Sequence, residues 1–470
     1  MKQITLDLDK PSKGKKPEKR LRKKSSVKIG ILAIALCVIG TLGFFGHKAY
    51  STLKESGFNI NPFAALQNLL TEEQPELKKD ENDMTSALIV GLDTRPSEPG
   101  LQNTDTVIVA TFNHNTNNIT MISIPRDMWV EHPKHPGYST KINGIYNLCE
   151  AVEDDTGMEC LKDVAETVSN LEIQYYGIID IAGGVELIDT LGGVDVDIEN
   201  TFTDYMFPTA TGGWEVVSFE EGTQHMDGET AMKFARSRHS MMNSEGTDFA
   251  RASRQQRLIT AVKEKVLSME TYTNPIKIFD LIDSLGKSIT VSEITSDDIQ
   301  AAYNVVQKSD SGATYTTVLN PASGNWTLIT EDPSTAYVLF PQAGENNWID
   351  VHSFIASFIT NPAMYDESAS IYVYNGGLGY NESYNKYLEF VEQYPYLEIV
   401  FGGNIGLQTL SDTTVASFSD SMKYATIKEV EDFFQIKHVS DIPEGIANLY
   451  GEDIVVVLGT PIQETTNAQN

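Results

Sequence analysis

The stretch ALIVGLDTRPSEPGLQNTDTVIVATFNHNTNNITMISI, residues 87–124, decides the fold class of this chain. It contains three short runs rich in β-branched and apolar residues, Ala87–Leu92, Thr106–Phe112 and Ile119–Ile124. Turn-forming residues separate the runs, as between Asn113 and Asn118. The stretch therefore predicts a meander of consecutive strands.

Helical patterns follow the meander and alternate with further strands. Helical spacing of apolar residues extends over 161–171, 184–191 and 251–267, and a Gly-Gly turn stands at 192–193. Strands between helices predict an α/β domain with a central sheet. We expect this domain to span 85–361.

A second, smaller α/β domain is expected at 368–460. It begins with a strand at 371–374 and the turn Asn375-Gly376-Gly377, and it ends with a buried strand near 452–458. It contains no Arg, no Cys and one His, so the sequence indicates no chemistry there. The tail 461–470 has the composition of a disordered segment.

The charge of the chain changes sign near residue 29. Residues 1–28 carry eleven Lys/Arg and three Asp/Glu, a net charge of +8, so the remaining 442 residues carry −38. Residues 29–46, IGILAIALCVIGTLGFFG, contain no charge and are just long enough to cross a bilayer. The basic cluster before them favours a cytoplasmic N-terminus.

These features predict a single-pass cell-membrane protein. Its parts are a cytoplasmic tail at 1–28, a transmembrane anchor at 29–46, a stalk at 47–84 and an extracellular remainder. A cleaved signal peptide is the alternative, although its apolar region is normally shorter. The acidic body excludes nucleic-acid binding by bulk charge.

Two cysteines lie in the expected extracellular part. Cys149 and Cys160 are eleven residues apart, and the spacing is compatible with a disulfide or with two free thiols. A zinc site would need more ligands nearby. His132 and His135 resemble a ligand pair, but Pro133 between them favours a loop.

Arginine placement is the strongest sign of chemistry. All seven arginines beyond the anchor fall between residues 95 and 257, and five of them lie within 22 residues. They are Arg95, Arg126, Arg236, Arg238, Arg251, Arg254 and Arg257. Concentrated bidentate donors in an acidic body point to a phosphate or carboxylate ligand, and surface ion pairs are the alternative.

Local geometry supports convergence of the arginines. We expect 233–238 to be a strand, which would place Arg236 and Arg238 on one face. A helix from Arg251 places Arg254 and Gln255 beside it. The Ser/Asn/Gly-rich loop at 239–247 joins the two elements.

Two carboxylates stand at the ends of adjacent predicted strands. Asp93 follows the first strand, and Asp105 precedes the next. Such a pair can share a hard cation such as Mg²⁺, which takes one or two carboxylates together with phosphate oxygens. Capping of the local turns is the alternative.

These segments, in this order, resemble the LytR-CpsA-Psr family of cell-envelope proteins. The matching motifs are GLDTR (91–95), NTDT (103–106), SIPRD (123–127), KING-Y (141–146), YYGIIDI and LGGVDVDI (within 175–198), FARSRH (234–239) and DFARASRQQ (248–256). The resemblance implies a central mixed, largely antiparallel sheet flanked by helices. It also likens the C-terminal domain to the domain often appended in LytR-type members.

The family resemblance implies a Mg²⁺-dependent phosphotransferase. Such an enzyme moves an anionic glycopolymer, such as teichoic acid or capsular polysaccharide, from a polyprenyl-diphosphate carrier to peptidoglycan through a phosphodiester. Asp93 and Asp105 are expected to hold Mg²⁺ and, with Arg126 and Arg238, to be catalytic. The residues expected to bind the diphosphate are Arg95, Arg126, Lys141, Arg236, Arg238, Arg251, Arg254 and Gln255.

The resemblance leaves two points open. Family members often have Arg two residues before the second aspartate, and this chain has Asn103 there. A hydrolase of the same carrier and a non-catalytic envelope regulator are the alternative functions. The chemistry of phosphoryl transfer, which depends on positioning and charge neutralisation, favours the transferase given these residues.

Overall fold

The computed structural model describes most of the chain beyond residue 75. The described residues are 58–59, 75–94, 102–153, 156–209, 212–267, 289–295, 297–298, 301–302, 305, 313–319, 329–331, 337–405, 413–417, 423–436 and 453–459. The predicted tail at 1–28, the anchor at 29–46, the tail at 461–470 and Arg95 lie outside them. Within the described part, no helix is long and apolar enough to span a membrane.

Strands and helices alternate along the described residues. The strands are β1 (Phe58–Asn59), β2 (Met84–Thr94), β3 (Gln102–Asn113), β4 (Ile119–Ser123), β5 (Trp129–Glu131), β6 (Ser139–Lys141), β7 (Tyr175–Asp180), β8 (Val194–Ile198), β9 (Phe202–Pro208), β10 (Trp214–Phe219), β11 (Gly222–Met226), β12 (Ile289–Val291), β13 (Ile294–Thr295), β14 (Thr314–Val318), β15 (Ile329–Glu331), β16 (Leu339–Pro341), β17 (Ser370–Asn375), β18 (Glu398–Asn404), β19 (Thr414–Ser417) and β20 (Ile454–Leu458). The helices are α1 (Ile142–Glu150), α2 (Gly157–Ser169), α3 (Ile181–Thr190), α4 (Gly228–Arg236), α5 (Asp248–Leu267), α6 (Ile349–Thr360), α7 (Pro362–Glu367), α8 (Tyr380–Gln393) and α9 (Tyr424–Phe434).

A six-stranded mixed sheet in the order β12-β7-β2-β3-β4-β14 forms the centre of the fold. The strands β2, β3 and β4 are antiparallel neighbours, which confirms the predicted meander. β12 is also antiparallel to β7, whereas β7 pairs with β2, and β14 with β4, in parallel. The predicted fold class, α/β with a largely antiparallel central sheet and flanking helices, is confirmed.

Side chains alternate along β2, so one face of the strand packs into the apolar core and the other lines a cavity. Leu88 and Val90 are fully buried in a core that includes Ile145 of α1 and Leu161 of α2. Full burial of each such side chain contributes about 1.5–3 kcal/mol to folding. The opposite face of β2 presents Ile89 to a cavity described below.

A disulfide joins the two helices that cover the first face of the sheet. Cys149 near the end of α1 is bonded to Cys160 in α2, and both are buried. His132 lies in a loop, as expected, and its ring packs 4.8 Å from that of His135.

The helix α4 corrects one expectation from the sequence. Residues 233–236 belong to this helix rather than to a strand. Asp227 caps the helix by accepting a hydrogen bond from the backbone N–H of Thr230, and Phe234 is buried at helical spacing from Ala231. The helical spacing of these apolar residues prevails over the short-range alternation.

A second apolar cluster packs α3, α4 and α5 against β8–β11. In β8 the acidic side chains alternate outward and the valines inward, as the sequence predicts. The helices α3, α4 and α5 also contribute residues to the wall of the cavity, together with β2, β3 and β7.

A separate four-stranded sheet in the order β18-β17-β20-β19 lies in residues 370–458. Its strands β18, β17 and β20 are parallel, and β19 is antiparallel at one edge. This sheet has its own apolar core, which includes Ile371, Phe390 and Val456. Helix α6, which precedes it, packs instead into the core of the six-stranded sheet.

Candidate active site

A cavity of about 290 Å³ lies between the six-stranded sheet and helices α3, α4 and α5. Most of its wall is apolar and comes from the sheet, the helices and the strand β9. The apolar residues include Ile89, Leu92, Ile179, Leu187, Ile188, Phe207, Met232, Leu258, Ile259, Val262 and Ile289. The charged and amide side chains of the wall are Asp93, Asp105, Asp180, Arg236, Arg238, Arg251 and Gln255.

One face of α5 supplies both the polar and the apolar part of this wall. Arg251, Gln255, Leu258, Ile259 and Val262 line the cavity. Their spacing of four, seven, eight and eleven residues from Arg251 places them on one stripe of a helix. The stripe begins with a cation and an amide and continues with aliphatic side chains, so the cavity wall changes from polar to apolar along α5.

A β-bulge directs Asp105 into the cavity. Gly91 pairs with Thr106, but Leu92 pairs with Thr104, so Asp105 is an extra residue in β3. Regular alternation would have placed Asp105 on the face occupied by the core residues Val107 and Val109. A Cβ at position 91 would come within 2.9 Å of the Thr106 Cβ, so the close approach of the strands requires glycine there.

Arginines and aspartates alternate around the polar end of the cavity. Arg126 Nη1 donates a hydrogen bond to Asp105 Oδ2 at 3.1 Å, and its Nη2 donates to Asp248 Oδ2 at 3.3 Å. Arg251 Nη1 lies 3.1 Å from Asp248 Oδ1 and 3.9 Å from Asp105 Oδ2. Arg236 Nη2 lies 3.7 Å from Asp93 Oδ1.

The electrostatics of this cluster follow from burial and from its alternating charges. Burial raises the pKa of Asp248, but the neighbouring cations Arg251 and Arg126 outweigh it, so the pKa of Asp248 lies below its usual value. Burial lowers the pKa of Arg251. The Arg251 Nε–H is buried and finds no hydrogen-bond acceptor among the described residues. An anion in the cavity would satisfy this donor.

Of the eight predicted phosphate ligands, four line the cavity, one lines an adjoining pocket, two line neither, and Arg95 lies outside the described residues. Arg236, Arg238, Arg251 and Gln255 line the cavity. Arg126 lines a smaller adjoining pocket of about 20 Å³, which shares Asp105 and Arg251 with the cavity.

Arg254 is not a ligand of the cavity, so the expectation from the sequence is wrong for this residue. It is fully buried, and its guanidinium donates to the backbone carbonyls of Phe234, Glu245 and Ser237 and to the Glu245 carboxylate. Its guanidinium also lies 4.7 Å from the centre of the Phe202 ring. Consecutive residues lie about 100° apart around a helix, so Arg254 leaves the stripe that carries Gln255.

Lys141 is not among the residues that line the cavity or the adjoining pocket. Its Nζ contacts Asp127 Oδ1 at 2.5 Å, and Asp127 Oδ2 in turn lies 3.4 Å from Arg126 Nε. The assignment of Lys141 to the diphosphate stays a prediction. Arg257, to which the sequence assigned no ligand role, forms an ion pair with Glu199.

Two carboxylates beside the site were not predicted from the sequence. Asp248 is the first residue of the motif at 248–256, and it contacts both Arg126 and Arg251. Asp204 is buried, and it accepts hydrogen bonds from the backbone N–H groups of Arg238 at 2.9 Å and His239 at 3.2 Å. It therefore fixes the backbone beside Arg238, and nothing in its local sequence signals this role.

Residues 50–332 match the LytR_cpsA_psr family. The chain is 27% identical over 271 residues to the polyisoprenyl-teichoic acid–peptidoglycan teichoic acid transferase TagU of Enterococcus faecalis, covering 57% of this chain and 78% of that protein.

A second relative and a solved structure are also similar to parts of this chain. The cell wall biosynthesis protein LcpA of Corynebacterium glutamicum is 27% identical over 245 residues, 44% of this chain and 45% of that protein. The chain therefore spans less than half the length of LcpA. The crystal structure of Bacillus subtilis TagV is 22% identical with a TM-score of 0.44, covering 60% of this chain and 99% of that one.

The family match covers more than half of the chain. It includes the strands β2 and β3, which carry Asp93 and Asp105, and the helices α4 and α5, which carry the cavity arginines. The chain belongs to the LytR_cpsA_psr family.

Proposed function

We propose that this protein transfers an anionic glycopolymer from a polyprenyl-diphosphate carrier to peptidoglycan, forming a phosphodiester. The observation that carries the proposal is a cavity whose wall combines apolar side chains with a cluster of arginines and aspartates. A polyprenyl diphosphate also combines an apolar part with a charged part, because its long apolar chain ends in a diphosphate. The relative TagU, whose name specifies a polyisoprenyl-linked teichoic acid and peptidoglycan, supports the choice of substrates.

The apolar wall is proposed to hold the start of the polyprenyl chain. Leu258, Ile259 and Val262 of α5 line the cavity together with Ile89 and Ile179 of the sheet. Burial of the chain there removes apolar surface from water at about 25 cal/mol per Å². This contact positions the diphosphate at the polar part of the wall, where the arginines lie.

The arginines are proposed to bind and neutralise the diphosphate. Arg236, Arg238 and Arg251 line the cavity, and the Arg251 Nε–H needs an acceptor. Guanidinium groups make paired hydrogen bonds to phosphate oxygens. Their charge also stabilises the charge that spreads over the transferred phosphoryl oxygens in the transition state.

The reaction exchanges one phosphorus–oxygen bond for another. The acceptor hydroxyl oxygen of peptidoglycan bonds to the phosphorus that carries the glycopolymer, and the bond from that phosphorus to the bridging oxygen breaks. Polyprenyl monophosphate leaves with the bridging oxygen, and the acceptor's proton is released. Arg126 Nη1 lies 3.1 Å and Arg251 Nη1 lies 3.9 Å from Asp105 Oδ2, and these ion pairs would orient the Asp105 carboxylate for its proposed role at the phosphate.

The two strand-end carboxylates fit a Mg²⁺ ion. Asp93 and Asp105 both line the cavity, and oxygen ligands from one or two carboxylates with phosphate oxygens suit this ion. No group of three or more His, Cys, Asp or Glu side chains suited to a metal occurs in the described residues, so phosphate and water would complete its shell. When bound, Mg²⁺ would supply positive charge at the phosphate oxygens.

The location of the reaction follows from the substrates. We propose that the anchor at 29–46 holds the enzyme in the cell membrane with the catalytic domain at 85–361 outside, where peptidoglycan lies. The Lys/Arg-rich residues 1–28 would then remain in the cytoplasm. The C-terminal domain at 368–460 carries none of the cavity residues.

Mass spectrometry of the lipid that co-purifies with the full chain tests the proposal. We expect a polyprenyl mono- or diphosphate in the wild-type extract and a strongly reduced amount from an Arg251→Ala variant. The Arg257→Ala variant is the matched control, because Arg257 pairs with Glu199 outside the cavity wall. An extract with ordinary phospholipid only, or equal carrier in both variants, would contradict the proposal.

A further inference from the structure

Exposed apolar side chains are concentrated beside the cavity. Of the fourteen large apolar side chains that are exposed in the described residues, six lie between residues 205 and 242. Four of them form what we call the hairpin face: Tyr205, Met206, Trp214 and Val216 on β9 and β10. The other two, Met241 and Met242, lie in the loop after Arg238. Clustered exposed apolar residues mark an interaction surface.

The geometry of the hairpin explains why these side chains point outward. β9 and β10 are antiparallel, and their register shifts between Glu215 and Val217. Two residues of β9, Tyr205 and Met206, lie opposite the single residue Val216 of β10, so β9 carries the extra residue of a β-bulge. All three side chains are exposed at this bulge. The ten residues from 205 to 214, YMFPTATGGW, contain no charge in a chain whose net charge is −30.

The same hairpin forms part of the cavity wall. Phe207 and Pro208 of β9 line the cavity, and the Arg236 guanidinium lies 5.7 Å from the centre of the Phe207 ring. The Trp214 ring lies 6.2 Å from the imidazole of His239, next to Arg238. The hairpin face therefore borders the position proposed for the carrier's diphosphate.

We propose that the hairpin face inserts into the outer surface of the lipid bilayer and places the cavity next to the membrane-embedded carrier. This inference rests on the proposed function, because the polyprenyl substrate resides in a membrane. Trp and Tyr side chains favour the membrane–water interface, where their apolar rings and polar groups are both accommodated. The sequence from Tyr205 to Trp214 contains no charged residue, so insertion of this part of the chain would not bury a charge.

A bilayer fits this surface better than a protein partner for two reasons. The hairpin face adjoins the wall of a cavity that suits an apolar chain. A polyprenyl chain could therefore pass from the bilayer into the cavity without exposure to water. The expected anchor and stalk would also keep this part of the chain near the membrane. A protein or glycan partner becomes an outcome of the test.

Quenching by brominated lipid tests the contact directly. The full chain is reconstituted into phosphatidylcholine–phosphatidylglycerol vesicles with and without bromine on the acyl chains. We expect brominated lipid to reduce the tryptophan emission of the wild type more than that of Trp214→Phe. Equal reductions of tryptophan emission in the two proteins would overturn the proposal and would indicate that the hairpin face binds a protein or glycan instead.

Introduction of a negative charge into the hairpin face tests the role of this face in turnover. Val216→Asp and Ile349→Asp introduce the same charge at matched positions, since Val216 is 61% exposed and Ile349 is 62% exposed. We expect Val216→Asp to slow transfer about fivefold in vesicles, because it removes apolar contact with the interface. Both variants should match the wild type in detergent micelles, where the carrier needs no bilayer.

Two results would contradict this role, and both differ from a failure of the proposed function. The hairpin proposal is wrong if Val216→Asp and Ile349→Asp behave alike in vesicles, or if Val216→Asp is equally slow in micelles. Absence of transfer by the wild type in micelles would instead contradict the proposed function.

Discussion

Asp105 lines the cavity because a β-bulge interrupts the regular alternation of side chains along β3. Alternation along β3 predicts that Asp105 faces the same core as Val107 and Val109, where a carboxylate would be costly. The bulge opposite Gly91 and Leu92 turns it toward the cavity instead. The sequence predicted that Asp93 and Asp105 end adjacent strands, but it contained no signal for the bulge.

Loss of either carboxylate should stop transfer without unfolding the protein. We expect Asp93→Ala and Asp105→Ala each to reduce turnover by about a hundredfold or more, because a bound cation would lose an oxygen ligand at the phosphate. Turnover with and without excess EDTA, alongside the far-UV spectrum, measures both properties. A wild type that keeps full activity in EDTA would exclude the metal role.

Turnover and carrier affinity should depend on the planar geometry of the cavity arginines as well as on their charge. We expect Arg236→Lys to lower turnover about tenfold, because lysine keeps the charge but loses the paired hydrogen bonds to phosphate. Arg257→Ala should cause only a modest loss, since Arg257 pairs with Glu199 away from the cavity. Carrier affinity and turnover of both variants test this difference. A silent Arg236→Lys would show that the assigned pocket is wrong.

At the scale of elements, the loop between α4 and α5 is held by buried polar groups. Arg254 of α5 bonds to the carbonyls of Ser237 and Glu245 at the two ends of this loop. Asp204 of β9 accepts hydrogen bonds from the backbone N–H groups of Arg238 and His239. The sequence indicated a loop between two arginine-bearing elements, but long-range contacts of this kind cannot be deduced from spacing along the chain.

Removal of Arg254 should destabilise the fold rather than weaken a substrate contact. We expect Arg254→Ala to lower the free energy of unfolding by about 3–5 kcal/mol, because it leaves Glu245 as an unpaired buried charge. Urea denaturation of the full chain in detergent measures the change, and Arg257→Ala is the control for loss of a more exposed arginine. Unchanged stability with reduced carrier affinity would restore Arg254 as a ligand.

The stability of this loop should also depend on pH through Asp204. Burial raises the pKa of Asp204, but hydrogen bonds from the N–H groups of Met206, Arg238 and His239 outweigh it, so the folded-state pKa lies below 3.8. The unfolded carboxyl therefore takes up a proton first as the pH falls. Its stabilisation is complete above pH 3.8 and is lost as the pH falls through the folded-state pKa.

The Asp204→Asn variant isolates this contribution. We expect it to be about 1–3 kcal/mol less stable than the wild type at neutral pH, because the amide replaces an acceptor of backbone N–H groups. The difference should shrink as the pH falls below 3.8, where the wild-type carboxyl also becomes neutral. Urea denaturation at a series of pH values from about 2.5 to about 7 tests the trend. A difference that stays constant with pH would contradict it.

At the scale of the whole molecule, residue patterns alone predicted the central meander, the helix α5 and the C-terminal strands at 371–374 and near 452–458. The parallel pairing of the C-terminal strands is known only from the structure. The strand assigned to 233–238 was wrong because Ala231 and Phe234 pack at helical spacing in α4. The walls of the cavity could not be named in advance, since the residues of a core and of a lipid-binding cavity have the same composition. The fold separates them by placing Leu88 on one face of β2 and Ile89 on the other.

The central claim is that the protein joins the glycopolymer to peptidoglycan through a phosphodiester. The most direct measurement is mass spectrometry of the products after the full chain is incubated with a polyprenyl-diphosphate-linked glycan and peptidoglycan. We predict polyprenyl monophosphate and a glycan joined to peptidoglycan by one phosphate, with both products absent for Asp105→Ala. Release of free glycan phosphate with unmodified peptidoglycan would identify a hydrolase and contradict the account.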